Sequence, residues 1–111
     1  MTSKNKAQPN MKIKTLTTAE KVPFNLDGRK MYIGPNAELI HLSLKPGEVL
    51  EKHSNPFDVV FYILEGSGVV ETDDQSINVE PDMSIEIEMG INRGITNTGD
   101  KALRVLVVKI L

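Results

Sequence analysis

The chain points to an all-β fold, a sandwich or barrel of short strands with very little helix. Three observations predict it. Apolar and polar residues alternate along several runs: Ile40, Leu42 and Leu44 stand against His41 and Ser43, and Ile85 and Ile87 against Glu86 and Glu88. A period of two belongs to strands with one buried face, because successive side chains of a strand point to opposite sides. Turn-forming residues punctuate the chain at short, regular intervals, and no stretch carries a convincing helical period.

Residues 1–10 are polar, carry Pro9, and are expected to form a flexible tail before a single domain over residues 11–111. Met11 could serve as the natural start, since "MKIKTL" has the pattern of an opening strand. The runs "KMYI", "ELIHLSLK", "EVLEKH", "VVFYIL", "GVVET", "SINVE", "MSIEIEM", "RGITN" and "ALRVLVVKIL" follow as expected strands. Between them lie turn signals such as Gly34-Pro35-Asn36, Pro46-Gly47, Gly66-Ser67-Gly68, Pro81-Asp82 and Gly99-Asp100. The final run is apolar on both faces, with Leu103, Val105 and Val107 on one and Leu106, Val108 and Ile110 on the other. Such a strand is covered twice. The core would cover one face and a second subunit the other, so a homodimer is expected.

Composition narrows the function classes. A chain of 111 residues, 40% hydrophobic and 25% charged, fits one domain with one core. The formal net charge of -2 and the lack of a basic stripe leave no nucleic-acid footprint. With no cysteine, disulfides, thiol catalysis and cysteine-ligated metals are excluded. No apolar run approaches the roughly 20 residues of a membrane span. The polar opening residues lack the apolar core of a signal peptide, so a cytoplasmic protein is expected. There is no Gly-rich phosphate loop and no nucleophile motif.

Two stretches resemble the motifs of the cupin superfamily, the RmlC-like jelly-roll barrels. The first cupin motif is G-x5-H-x-H-x3,4-E-x6-G, and "GEVLEKHSNPFDVVFYILEG" matches it at Gly47, His53 and Gly66. The second is G-x5-P-x-G-x2-H-x3-N, and "DMSIEIEMGINRGITN" matches at Gly90 and Asn97, with Asp82 and Glu88 in place of its first glycine and its proline. The resemblance covers about residues 30–111 and implies an antiparallel jelly roll. It departs at the metal ligands. Asn55 stands at the second histidine, Val59 at the glutamate (with Asp58 beside it) and Arg93 at the last histidine. A divalent first-row ion needs three or four imidazole, carboxylate or thiolate donors. A protonated guanidinium cannot ligate, and at roughly 4 Å it would repel the ion by several kcal/mol at intermediate dielectric. No metal and no other cofactor is therefore expected.

The candidate ligand-binding residues are His53, Asn55 and Arg93. His53 is an idle hydrogen-bonded remnant of a metal site, a ligand contact or a general base, and is the one catalytic candidate. Asn55, before Pro56, could simply shape the turn. Arg93, facing inward with Asn97 further along, needs a carboxylate partner such as Asp58 or a glutamate, or else an anionic ligand. His41 is expected at the surface or an interface. Phe57, Phe61 and Tyr62 are expected in packing, and Glu86 and Glu88 on a solvated face. These residues suggest a small-molecule-binding barrel, without a catalytic metal, for a polar or anionic compound such as a sugar derivative or organic acid. The alternative is an enzyme: a metal-independent sugar isomerase or epimerase with His53 as base, or a metal-dependent isomerase or dioxygenase.

Overall fold

The computed structural model describes residues 10–111, so the expected tail lies outside the described residues except for Asn10. Ten strands follow in order, with no helix among the described residues: β1 (Glu20–Lys21), β2 (Asp27–Ile33), β3 (Ala37–Leu44), β4 (Val49–His53), β5 (Asp58–Glu65), β6 (Gly68–Thr72), β7 (Ser76–Val79), β8 (Ser84–Ile87), β9 (Arg93–Thr96) and β10 (Leu103–Ile110). They form a six-stranded sheet, β1-β2-β3-β10-β5-β8, and a four-stranded sheet, β4-β9-β6-β7. Every pairing is antiparallel. The fold is an all-β jelly roll.

Strand β10 organises the core. Val105 lies between Leu42 and Ile63 in register, and Val107 between Ile40 and Phe61. These residues are all buried, and with Leu44, Ile95 and Leu103 they form one cluster between the sheets. Directly opposed apolar pairs of this kind are the unit of sheet stabilisation. Asn97 locks one end of the sandwich. Its amide donates to the carbonyls of Leu44 (2.9 Å) and Lys101 (2.8 Å) and accepts from the Gly99 N–H (2.9 Å). At 1% exposure, this side chain is a satisfied structural brace between strand ends. Gly66 allows the tight passage from β5 to β6. Its φ is +87°, and a Cβ there would stand 2.3 Å from the Ala102 carbonyl oxygen.

Two expectations need correction. Residues 11–16 are not a strand, and Met11 and Ile13 are exposed. Alternation gives a segment an apolar face but no partner, and this one pairs with nothing among the described residues. The first paired residues are instead Glu20 and Lys21, which bond to β2. His41 does face away from the core, beside Leu106 and Arg29 in register, but at 7% exposure it does not fit the surface alternative of the surface-or-interface expectation. Arg104 lies over it, donating Nε–H to His41 Nε2 at 3.1 Å while its Nη1 bonds Glu65 at 3.0 Å. The solvated acidic face, by contrast, is as expected, with Glu86 and Glu88 exposed.

Burial, and then the nearby Arg104, pull the His41 pKa below its ordinary 6.5, against a weaker opposing pull from Asp27 and the backbone. As pH falls below about 6.5 the unfolded chain takes up this proton first. Stability should therefore decline from pH 6.5 down to the folded-state pKa. His41→Gln, which keeps an acceptor for Arg104, should flatten that part of the curve in urea unfolding series between pH 7.5 and 5. Parallel curves for the two proteins would show that His41 titrates normally.

Candidate functional site

A cavity of about 500 Å³ opens between the sheets. Ile40, Leu42, Phe61 and Val107 form its wall on the six-stranded side, while His53, Asn55 and Arg93 reach it from the other. All three sequence candidates are therefore brought together at one mouth. A second cleft of about 480 Å³ is lined by Ile77, Ile85 and Ile91 with Asp74, Glu86 and Glu88, and contains none of them.

A β-bulge sets the site. Leu50 of β4 stands opposite Ile95 of β9, but the next opposed pair is His53 and Arg93, so β4 carries one extra residue. Without it, Lys52 would face Arg93. With it, Lys52 turns to Asp73, 3.0 Å away, and His53 takes the place opposite Arg93. Gly94 fits this crowding, since a Cβ there would stand 2.7 Å from the Leu50 carbonyl oxygen.

Arg93 shares a face with Ile95 and is 3% exposed. Its Nη1 donates to the His53 carbonyl oxygen at 2.7 Å. Asn55, oriented so that both ends of its amide are satisfied, accepts from Arg93 Nη2 at 2.7 Å and donates to the Ser54 carbonyl at 3.1 Å. The guanidinium carbon lies 6.0 Å from the centre of the Phe61 ring, and Arg93 Nε has no partner. Burial lowers the Arg93 pKa below the ordinary arginine value. The group nonetheless stays protonated at neutral pH.

The internal ion pair considered for Arg93 is absent among the described residues. Asp58 accepts the Met89 N–H at 2.9 Å instead. The ion pairs that do form are Arg29–Asp27, Lys30–Glu20, Lys52–Asp73, Arg104–Glu65 and Lys109–Glu38. Asn55 is also more than a turn-former, since it is the side-chain partner of Arg93. The His53 ring is exposed, with Nδ1 3.1 Å from the Glu51 carbonyl. If Nδ1 donates there, Nε2 is left as a free acceptor. Val59 is buried in the core, and no three His, Cys, Asp or Glu side chains gather into a metal-sized cluster among the described residues. Sequence reasoning missed the bulge and the Asn55–Arg93 bond; the acceptor amide two residues beyond His53 was the available signal for the bond.

The family model described as "Cupin domain" matches residues 40–109, and the chain belongs to that family. Over 67 residues it is 34% identical to the tetracenomycin polyketide synthase protein TcmJ of Streptomyces glaucescens, a match spanning 60% of this chain and 45% of that relative. Among solved structures it resembles the polyketide cyclase RemF of Streptomyces resistomycificus, with a TM-score of 0.79, 21% identity, and coverage of 90% of this chain and 79% of that one. It also resembles a protein of Thermus thermophilus, with a TM-score of 0.76, 25% identity, and coverage of 90% and 97%.

The Asn55–Arg93 bond can be tested through stability. Asn55→Leu leaves an Nη2 donor unpaired and should cost about 1–3 kcal/mol in urea unfolding. Asn55→Asp puts a carboxylate against an uncancelled charge and should raise stability above the parent protein. An Asn55→Asp variant no more stable than the parent would mean that the charge is already neutralised.

Proposed function

We propose that this cupin barrel binds a small polar or anionic compound at its mouth without a transition metal, using Arg93, His53 and Asn55. The observation that carries this reading is a buried guanidinium held only by neutral oxygens. Two such bonds satisfy hydrogens but do not cancel the charge, and an uncompensated buried charge costs several kcal/mol. A ligand carboxylate, phosphate or oxyanion offsets that cost and matches the planar fork of donors. The residues at the family's ligand positions do not fit a metal: one imidazole, one neutral amide, one valine in the core and one cation.

A second reading, catalysis at the same mouth, is favoured by the exposed His53, whose Nε2 is an acceptor when Nδ1 donates to the Glu51 carbonyl, and by the polyketide-related names of two similar proteins. There His53 would remove a proton while Arg93 stabilises the oxyanion that forms. The two readings separate on His53→Ala, which should weaken binding modestly if His53 is a contact and abolish turnover with binding intact if it is a base.

Arg93→Leu tests the primary reading. It should leave the ligand-free fold within about 1–2 kcal/mol of the parent, because lost hydrogen bonds and a relieved charge oppose each other. Calorimetric binding of carboxylate or phosphate compounds should disappear. A loss of about 3–5 kcal/mol would instead reveal an internal carboxylate partner.

We also propose that the chain is a homodimer, joined through the outer face of β10. There Val108 lies between Leu39 and Val60, and Leu106 beside Tyr62. Sedimentation at micromolar concentration should give a dimer; a monomer would count against it.

A further inference from the structure

We infer, building on the anion-binding reading, that the ligand is an apolar-bodied monoanion, such as an aromatic carboxylate, phenolate or enolate, rather than a sugar or a phosphate ester. The charge around the cavity favours a monoanion. Three side chains of fixed positive charge line the cavity, Arg93, Lys52 and Lys109, alongside the imidazole of His53. Lys52 is paired with Asp73 at 3.0 Å and Lys109 with Glu38 at 3.6 Å. One positive charge is left, and the exposed Glu51 at the rim opposes a second negative charge on the ligand. A phosphate ester, carrying close to two charges at neutral pH, finds one cation too few.

The wall of the cavity favours an apolar body. Around the guanidinium the wall is apolar, built from Ile40, Leu42, Phe61 and Val107. The Asn55 amide is committed to Arg93 and Ser54. A sugar ring presents hydroxyls on every side, and each one buried without a partner costs about 1–3 kcal/mol. Apolar rings carry no such penalty and gain from the same wall. The cavity, about 500 Å³, falls within the range of roughly 300–1,000 Å³ that holds compounds of several rings. Phe24, half exposed, stands at the entrance where such a body would cover it.

Isothermal titration of the full chain with three probes decides the matter. 2-Naphthoate has the charge and the apolar body, 2-naphthamide the body alone, and glucose 6-phosphate the charge on a polar body. 2-Naphthoate should bind one per chain, at least about tenfold tighter than either of the others. Arg93→Leu should bring naphthoate down to the level of naphthamide. Phe24→Ser, a change at an exposed position, should weaken naphthoate several-fold with an unchanged thermal midpoint. If glucose 6-phosphate binds more tightly and loses its binding in Arg93→Leu, the anion site stands and the apolar body is wrong. If naphthamide equals naphthoate in the parent protein, the anion site itself falls. Unchanged naphthoate binding in Phe24→Ser would remove the entrance contact from the inference.

Discussion

A guanidinium inside an apolar barrel has to be held by oxygens, and the site is arranged around that demand. The bulge in β4 supplies one of them, because the extra residue brings His53 rather than Lys52 into register with Arg93. Asn55, two residues on, supplies the other through its side chain. Asn55 and Arg93 bond to each other and act as one unit. The amide offers an acceptor to the cation without neutralising it. That leaves hydrogen bonds largely satisfied, an Nε without a partner, and a positive charge uncancelled.

The barrel keeps this arrangement rigid. β9 carries Arg93 and Ile95 on its inner face, so the same strand that presents the charge also anchors itself in the core. At its far end Asn97 ties the strand to the Leu44 and Lys101 carbonyls. The architecture therefore gives the guanidinium little freedom to turn toward water. Its position in the cavity follows from packing, and its chemistry from the absence of an ion-pairing carboxylate among the described residues.

Much of the fold was legible because burial writes a period of two into strands. All nine expected runs became β2–β10, and the doubly apolar character of β10 marks the strand at the centre of the core. What alternation cannot report is partnership. The segment 11–16 alternates and pairs with nothing described, whereas Glu20–Lys21, too short to show a pattern, does pair. His41 lies on the outer face, as its position implies, but the side chain that covers it comes from Arg104, 63 residues away. At the site, residue types marked His53, Asn55 and Arg93 as candidates. They could not distinguish an internal carboxylate from a ligand as the partner of Arg93, because that depends on which way Asp58 turns. It turns to the Met89 N–H.

Whether the charge on Arg93 is completed from outside the chain is decided by a crystal structure of the protein grown with 2-naphthoate. The carboxylate oxygens should lie within hydrogen-bond distance of the Arg93 Nη atoms, with the rings against Phe61 and Val107. A structure in which an Asp or Glu of this chain pairs with Arg93, or in which naphthoate lies with its carboxylate away from that side chain, would contradict it.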